Sequence, residues 1–89
     1  MKISQEKKEK ISEQILALLY SINPKPLFTL HIANEIVRDE EFIKKLLLEL
    51  KNKKLVVEIK KNPQGVPYIR RSRWKLSDAA YKIYRTNQH

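Results

Sequence analysis

Apolar side chains recur every three to four positions in the first quarter of the chain. This stripe predicts a helix from about residue 5 to residue 22. Ser4 is expected to cap its start, and the following "NPKP" ends it because proline cannot continue a helix. The stripe consists of Ile11, Ile15, Leu18, Leu19 and Ile22.

Two further helices are predicted between residues 29 and 53. Thr29 is expected to cap "LHIANEIV", and Asp39 is expected to cap "EEFIKKLLLELKNK", with a tight turn near residues 37–38. The buried stripe of the third helix is predicted to contain Ile43, Leu46, Leu47 and Leu50. Two helices joined by a tight turn, behind a longer one, indicate a helix-turn-helix.

The hydrophobic period changes to two at Leu55, where Leu55, Val57 and Ile59 alternate with the residues between them. The sequence "NPQG" at 62–65 predicts a turn, and a second strand is expected from Tyr68 to Leu76. Together the strands form a β-hairpin. Aromatic residues also stack on bases in single-strand readers, but alternation places Trp74, with Tyr68 and Leu76, on the inner face of this hairpin.

Ser77 is expected to cap a short last helix whose inner face contains Ala80, Ile83 and Tyr84. The predicted order is therefore ααα-ββ-α, an α+β fold. A chain of 89 residues has room for one modest core, so residues 1–89 are expected to form a single domain.

Positive charge is concentrated in one part of the chain. The net charge is +9, and residues 51–76 carry nine basic side chains against Glu58, a net +8. This footprint is typical of proteins that bind nucleic acid or an anionic membrane surface. The hairpin candidates for phosphate contact are Lys60, Lys61, Arg70, Arg71, Arg73 and Lys75. The alternative is an edge hairpin protected from aggregation by charge, for which six cations are more than needed.

The sequence gives little support for a catalytic site or a metal site. The chain has no cysteine, and its single glycine excludes a Gly-rich phosphate loop. His31 and His89 have no second ligand at metal spacing, so His31 is expected on a helix surface and His89 at a frayed end. We expect no enzyme activity, no cofactor, no metal and no small-molecule ligand. Without an apolar signal or membrane segment, a soluble cytoplasmic protein is expected, nucleoid-associated if it binds DNA.

Three segments in this order resemble the winged helix-turn-helix DNA-binding domain, over roughly residues 8 to 86. "IANEI" resembles its second helix, and "IKKLLLELKNKKLV" resembles its recognition helix and first wing strand. "RWKLSDAAYKIY" is similar to the segment that closes the wing in MarR-like regulators. The resemblance implies three helices, a two-stranded β-hairpin wing and a short C-terminal helix. Small stand-alone proteins of this kind are common among archaea and their viruses.

The resemblance also implies a transcriptional regulator that binds double-stranded DNA. The third helix would enter the major groove, and the basic wing would lie along the phosphate backbone or the minor groove. On this helix the candidate contacts are Glu41, Lys44, Lys45 and Lys51, although ordinary solvation explains each lysine equally well. The acids at 39–41 can accept from cytosine N4 or can merely complement the helix dipole, so more of the affinity is assigned to the wing.

Leu48 lies outside the buried stripe of the third helix, which leaves two alternatives open. It can pack on the wing, or it can belong to a homodimer surface with the first helix, since winged-helix regulators often pair through terminal helices. The rival function is a protein-interaction module or RNA-binding adaptor without DNA reading. A membrane-surface role is disfavoured because no amphipathic helix pairs a basic face with large apolar anchors.

Overall fold

The computed structural model describes residues 4–87, in which four helices pack on a small antiparallel sheet. Its strand order is β1-β3-β2, so the last strand in the chain lies at the centre. This α+β arrangement confirms the predicted fold class, with one additional strand. The elements are α1 (Gln5–Ile22), β1 (Leu27–Phe28), α2 (Thr29–Ile36), α3 (Glu40–Asn52), β2 (Val56–Ile59), β3 (Arg73–Leu76) and α4 (Asp78–Asn87).

The first helix begins and ends where its sequence pattern predicts. Ser4 Oγ accepts a hydrogen bond from the Lys7 backbone N–H at 3.2 Å, which satisfies one of the free donors at the helix start. Ile11, Ile15 and Leu19 are buried, and Leu16 joins them. The face of α1 toward the core is thus slightly wider than the predicted stripe, whose other members, Leu18 and Ile22, are partly buried against the core.

The helix-turn-helix is formed by α2 and α3. Its turn passes through Val37, which adopts a left-handed conformation (φ 59°, ψ 53°), and the Arg38 N–H then donates to the Ala33 carbonyl at 3.0 Å. Asp39 caps α3 as predicted, since its Oδ2 accepts from the Phe42 N–H at 3.2 Å. All four predicted core residues of α3 are buried: Ile43, Leu46, Leu47 and Leu50.

The prediction that Thr29 caps α2 is wrong. Phe28 occupies the cap position without a side-chain hydrogen bond, and Thr29 is the first helical residue. The Thr29 hydroxyl instead accepts a 2.8 Å hydrogen bond from Trp74 Nε1. The capping rule failed here because a buried indole, 45 residues away in sequence, needs an acceptor.

The sheet differs from the predicted two-stranded hairpin in two ways. β1 was not predicted; it pairs with β3 through Leu27 opposite Trp74 and Phe28 opposite Arg73. The second wing strand is also shorter than the predicted Tyr68 to Leu76, because only Arg73–Leu76 pair regularly. Residues 68–72 leave the ladder and form a loop.

The last helix is capped by Ser77 as predicted, since Ser77 Oγ accepts from the Ala80 N–H at 3.1 Å. Its inner face differs from the prediction: Ala80 is buried and Tyr84 is partly buried, but Ile83 is 58% exposed. The Tyr81 and Tyr84 rings each lie 5.5 Å from the Tyr20 ring of α1. This aromatic contact turns α4 so that Ile83 faces outward.

The core lies between the helices and the inner face of the sheet. Trp74, in the central strand, is fully buried, which confirms its predicted core position. Opposite it on β2 lies Glu58, and the next inward pair is Val56 opposite Leu76. The two strands that carry the ends of the wing contact the helices of the core, β3 against α1 and β2 against α3.

Candidate nucleic-acid interface

A groove separates the starts of α2 and α3 from the loop of the wing. We call this groove the wing groove, and residues 60–72 the wing loop. Acidic, basic and apolar side chains all contribute to it, and two wing arginines lie across from the N-terminal turn of α3. The residues lining it are Phe28, Thr29, Leu30, Glu40, Glu41, Lys44, Arg70, Arg71 and Ser72.

The tip of the wing loop is a hydrogen-bonded turn at residues 62–65, as predicted. The Gly65 N–H donates to the Asn62 carbonyl at 2.9 Å, and Gly65 takes a φ of +85°, which glycine adopts without strain. Asn62 Oδ1 accepts from the N–H groups of Gln64 and Val66, both at 2.9 Å. These bonds fix the tip although it lies outside the sheet.

An aromatic cluster holds the returning arm of the wing loop against the body of the protein. The Tyr68 ring meets the Phe28 ring edge to face at 5.1 Å between centroids, and the Tyr68 N–H donates to the Lys60 carbonyl at 2.8 Å. The Arg71 guanidinium lies 4.6 Å above the Phe28 ring, which is cation–π geometry. Phe28 and Tyr68 therefore position Arg71 at the edge of the wing groove.

The six predicted wing cations occupy different environments. Lys61, Arg70 and Arg71 are exposed, whereas Arg73 and Lys75 lie half-buried along β3. Arg73 Nη2 donates to the Lys61 carbonyl at 3.3 Å, and its Nε is buried without a hydrogen-bond partner. Part of the Arg73 side chain thus closes the base of the wing loop.

At the base of the wing, Glu58 lies close to two lysine side chains. Its side chain is only 8% exposed and lies 2.9 Å from Lys51 Nζ and 4.0 Å from Lys60 Nζ, while Ser72 Oγ donates to it at 2.6 Å. Burial raises the pKa of Glu58, but the hydrogen bonds from Ser72 and Lys51 and the two lysine charges outweigh it and leave that pKa below its usual value. One carboxylate therefore offsets part of the charge of two predicted DNA contacts, Lys51 at 2.9 Å and Lys60 at 4.0 Å.

The outer face of α3 presents Glu41, Lys44 and Lys45, all exposed, with Leu48 39% exposed beside them. Of these, Glu41 and Lys44 line the wing groove, so the structure brings them together with Arg70 and Arg71. Ion pairs within 4.0 Å among residues 4–87 join Lys8 to Glu49, and Lys51 and Lys60 to Glu58. Neither groove arginine therefore has an acidic partner among these residues.

Residues 4–87 contain no cluster of three metal-ligating side chains. His31 is exposed, with its ring 5.8 Å from Phe28, and the predicted frayed end at His89 lies outside the described residues. No helix in the same range is long and apolar enough to cross a membrane.

The sequence pattern did not identify Phe28, which lines the wing groove and packs against Arg71. It also did not identify Ile69, which is 95% exposed in the wing loop. The short "PLFTL" run gave no periodic signal for a strand. The strand predicted over residues 68–76 placed Ile69 on one face of the sheet. That placement does not hold, because residues 68–72 form a loop.

Several solved structures share this architecture. A DNA complex of MepR from S. aureus matches 91% of this chain with a TM-score of 0.73 at 23% identity. ZitR from Lactococcus lactis and the transcriptional regulator PcaV from Streptomyces coelicolor each match 91% of the chain, with TM-scores of 0.71 and 0.69 at 20% and 21% identity. No family model and no curated protein sequence matches the chain.

The chain spans only part of these neighbours, from 55% of PcaV to 64% of MepR. At 20–23% identity the likeness concerns the path of the backbone. That path includes the three helices, the wing and the following helix in the predicted order. The protein therefore has the MarR-like winged helix-turn-helix fold that its sequence resemblance predicts.

Proposed function

We propose that this protein binds double-stranded DNA and regulates transcription, with α3 in the major groove and the wing loop on the phosphate backbone. The observation that carries the proposal is the pair Arg70 and Arg71, exposed and without an acidic partner, across the wing groove from the start of α3. An α-helix with its side chains is about 10–12 Å wide, which matches the major groove of B-DNA at about 12 Å. MepR, which shares the fold, has been solved as a DNA complex.

The candidate residues divide into two groups in this proposal. Lys61, Arg70 and Arg71 contact phosphates, with Arg73 and Lys75 adding positive potential along β3. Lys44 and Lys45 face the major groove, and Glu41 lies where its carboxylate can accept from cytosine N4. Lys51 and Lys60 are placed to contact phosphates only if DNA competes with Glu58 for them. The proposed role requires no catalytic group, metal or cofactor.

The test is a fluorescence-anisotropy titration of a labelled mixed-sequence duplex at several salt concentrations. Replacing both Arg70 and Arg71 with alanine should weaken binding to all sequences alike and reduce the slope of log K against log[salt] by about 2, at about 0.9 per phosphate contact. The matched control replaces Lys82 and Arg85 of α4, which removes the same charge beyond the opposite end of β3. Equal slopes for wild type and the groove variant would refute the wing contacts.

A second function is favoured by the apolar and acidic surface near α3. Leu30 is 49% exposed in the wing groove, which Glu40 and Glu41 also line, and Leu48 is 39% exposed further along α3. Such a surface suits a partner protein with apolar and basic side chains. Absence of duplex binding at low salt would establish this interaction module as the better proposal, and an RNA duplex in the same titration tests the RNA-binding adaptor. A-form RNA should bind poorly because its major groove is too narrow for α3.

The homodimer remains a hypothesis. The exposed Leu48 on α3 is the apolar residue that a second copy would cover, together with the first helix. Light scattering of the purified protein decides the matter, since a mass near the 10.6 kDa of one chain would reject a dimer.

A further inference from the structure

Ile69 is the most exposed large apolar side chain among residues 4–87, at 95%. It lies in the wing loop directly before Arg70 and Arg71, in a segment, residues 59–72, that contains no acidic residue. Scattered apolar residues on a surface need no explanation, but this one directly precedes two exposed arginines that have no acidic partner within 4.0 Å among residues 4–87. Its place therefore suggests contact with a polyanion that also offers apolar surface.

The backbone on both sides of Ile69 is held in place. Before it, the Tyr68 N–H donates to the Lys60 carbonyl at 2.8 Å and the Tyr68 ring packs on Phe28 at 5.1 Å. After it, the Arg71 guanidinium lies 4.6 Å above the same Phe28 ring. Tyr68 and Arg71 turn toward the body of the protein, which leaves Ile69 and Arg70 projecting from a fixed base.

We propose that Ile69 is an apolar wedge that enters the minor groove of DNA at a deformable base step. The inference rests on the DNA binding proposed above and assigns it a means of reading shape. Proteins that bend DNA commonly insert isoleucine, leucine or phenylalanine between base pairs from the minor groove, beside arginines or lysines that read the same groove. Pyrimidine–purine steps unstack most readily, so the wedge selects sequences that contain them.

A membrane surface is the other polyanion that takes up an apolar side chain beside arginines. Membrane affinity grows with the apolar area inserted, and even a whole myristoyl chain gives only marginal binding. The wing loop offers Ile69 and the 56% exposed Val66, far less apolar area than that. The minor groove fits better, since a single side chain suffices to enter a base step.

The experiment compares two duplexes of equal length and composition. One alternates thymine and adenine, which supplies a TA step at every second position, and the other is a stiff A-tract with adenine on one strand. Wild type, Ile69→Ser and Ile83→Ser are titrated against both. Ile83 is a matched control because it is also exposed, at 58%, but lies on α4 beyond the other end of β3.

Ile69→Ser should weaken binding to the alternating duplex about tenfold, as expected for losing the burial of one large aliphatic side chain. Binding to the A-tract should change little, and the salt slope should stay the same because no charge is lost. With 2-aminopurine at the adenine of TA steps, wild type and Ile83→Ser should raise the fluorescence by unstacking the base, whereas Ile69→Ser should not.

The outcomes separate this inference from the proposed function. If wild type binds neither duplex, the proposed DNA binding fails and the wedge fails with it. If wild type binds but Ile69→Ser keeps both affinities and the fluorescence rise, or if Ile83→Ser weakens binding as much, the wedge is refuted while DNA binding stands. Ile69-dependent binding to phosphatidylglycerol–phosphatidylcholine vesicles, with the duplex affinities unchanged by Ile69→Ser, would also overturn it and identify a membrane surface instead.

Discussion

The hydrogen bond from Trp74 to Thr29 connects the central strand of the wing to the start of α2, so its removal tests how the wing is held. Replacing Thr29 with valine keeps the side-chain shape and removes the acceptor for the Trp74 indole N–H. Trp74 is fully buried and Thr29 is 9% exposed, so water cannot replace the lost partner without entering the core. The Thr29→Val protein should therefore contain a buried donor without an acceptor.

An unsatisfied buried donor costs about 1–3 kcal/mol. Taking about 2 kcal/mol, and about 4–8 °C of melting temperature per kcal/mol for a domain of this size, Thr29→Val should melt about 8–16 °C below wild type. Thr29→Ser keeps the hydroxyl and should lose much less. Urea unfolding followed by far-UV circular dichroism measures the free energy of unfolding of all three proteins.

A lower free energy of unfolding does not by itself show which hydrogen bond was lost, because removing a threonine that capped the helix would lower it too. The chain has one tryptophan, so its indole N–H gives a single assignable resonance in a ¹⁵N-correlated NMR spectrum. In Thr29→Val this resonance should move upfield and its proton should exchange faster, whereas Thr29→Ser should resemble wild type. A destabilised Thr29→Val protein with an unchanged indole resonance would refute the hydrogen bond and restore Thr29 as a helix cap.

Three further predictions concern the turn of the helix-turn-helix, the base of the wing and its tip. Val37→Gly should raise stability to urea by about 1 kcal/mol, because a residue with a Cβ pays about 1–2 kcal/mol in the left-handed conformation; no gain would contradict this. Glu58 has a lowered folded-state pKa, so its contribution is present above the unfolded value of 4.5 and is lost as the pH falls through the folded-state pKa. Glu58→Gln should therefore lose less stability than wild type between pH 7 and pH 3, and an equal loss in both would argue against the Glu58 cluster. Gly65→Ala meets open space but keeps a φ of +85°, so it should cost about 1 kcal/mol and speed exchange of the Val66 amide, with unchanged exchange as the contrary result.

The elements predicted correctly are those whose signals are local. The stripe of α3 repeats at helical spacing and begins at Asp39, whose own side chain caps it, so no distant contact is needed to define it. The turn at 62–65 is likewise determined by its own residues, through proline, Asn62 and Gly65. Such features can be read from a few consecutive residues because the interactions that form them join near neighbours.

The features that were missed depend on partners far away in the chain. β1 has only two residues and exists because Leu27 and Phe28 pair with Trp74 and Arg73. Regular pairing of β3 begins only at Arg73, and before it Tyr68 and Arg71 pack on Phe28 in the aromatic cluster. Alternation over residues 68–76 could not reveal this, since a period of two describes a strand only while a neighbour continues to pair with it.

The positive charge available at the candidate interface also depends on contacts between residues that are far apart in the chain. Counting residues 51–76 gives a net +8, which treats every cation there as available to a polyanion. The single carboxylate of Glu58 pairs with Lys51 and Lys60 and offsets one of their two charges, and Arg73 Nη2 donates to the Lys61 carbonyl. Arg70 and Arg71 remain at the edge of the wing groove without an acidic partner within 4.0 Å among residues 4–87, and Arg71 packs on the Phe28 ring. Because a phosphate contact requires a cation at a defined distance rather than a high average charge, the contacts that position these two arginines matter more to binding than the total of nineteen basic residues.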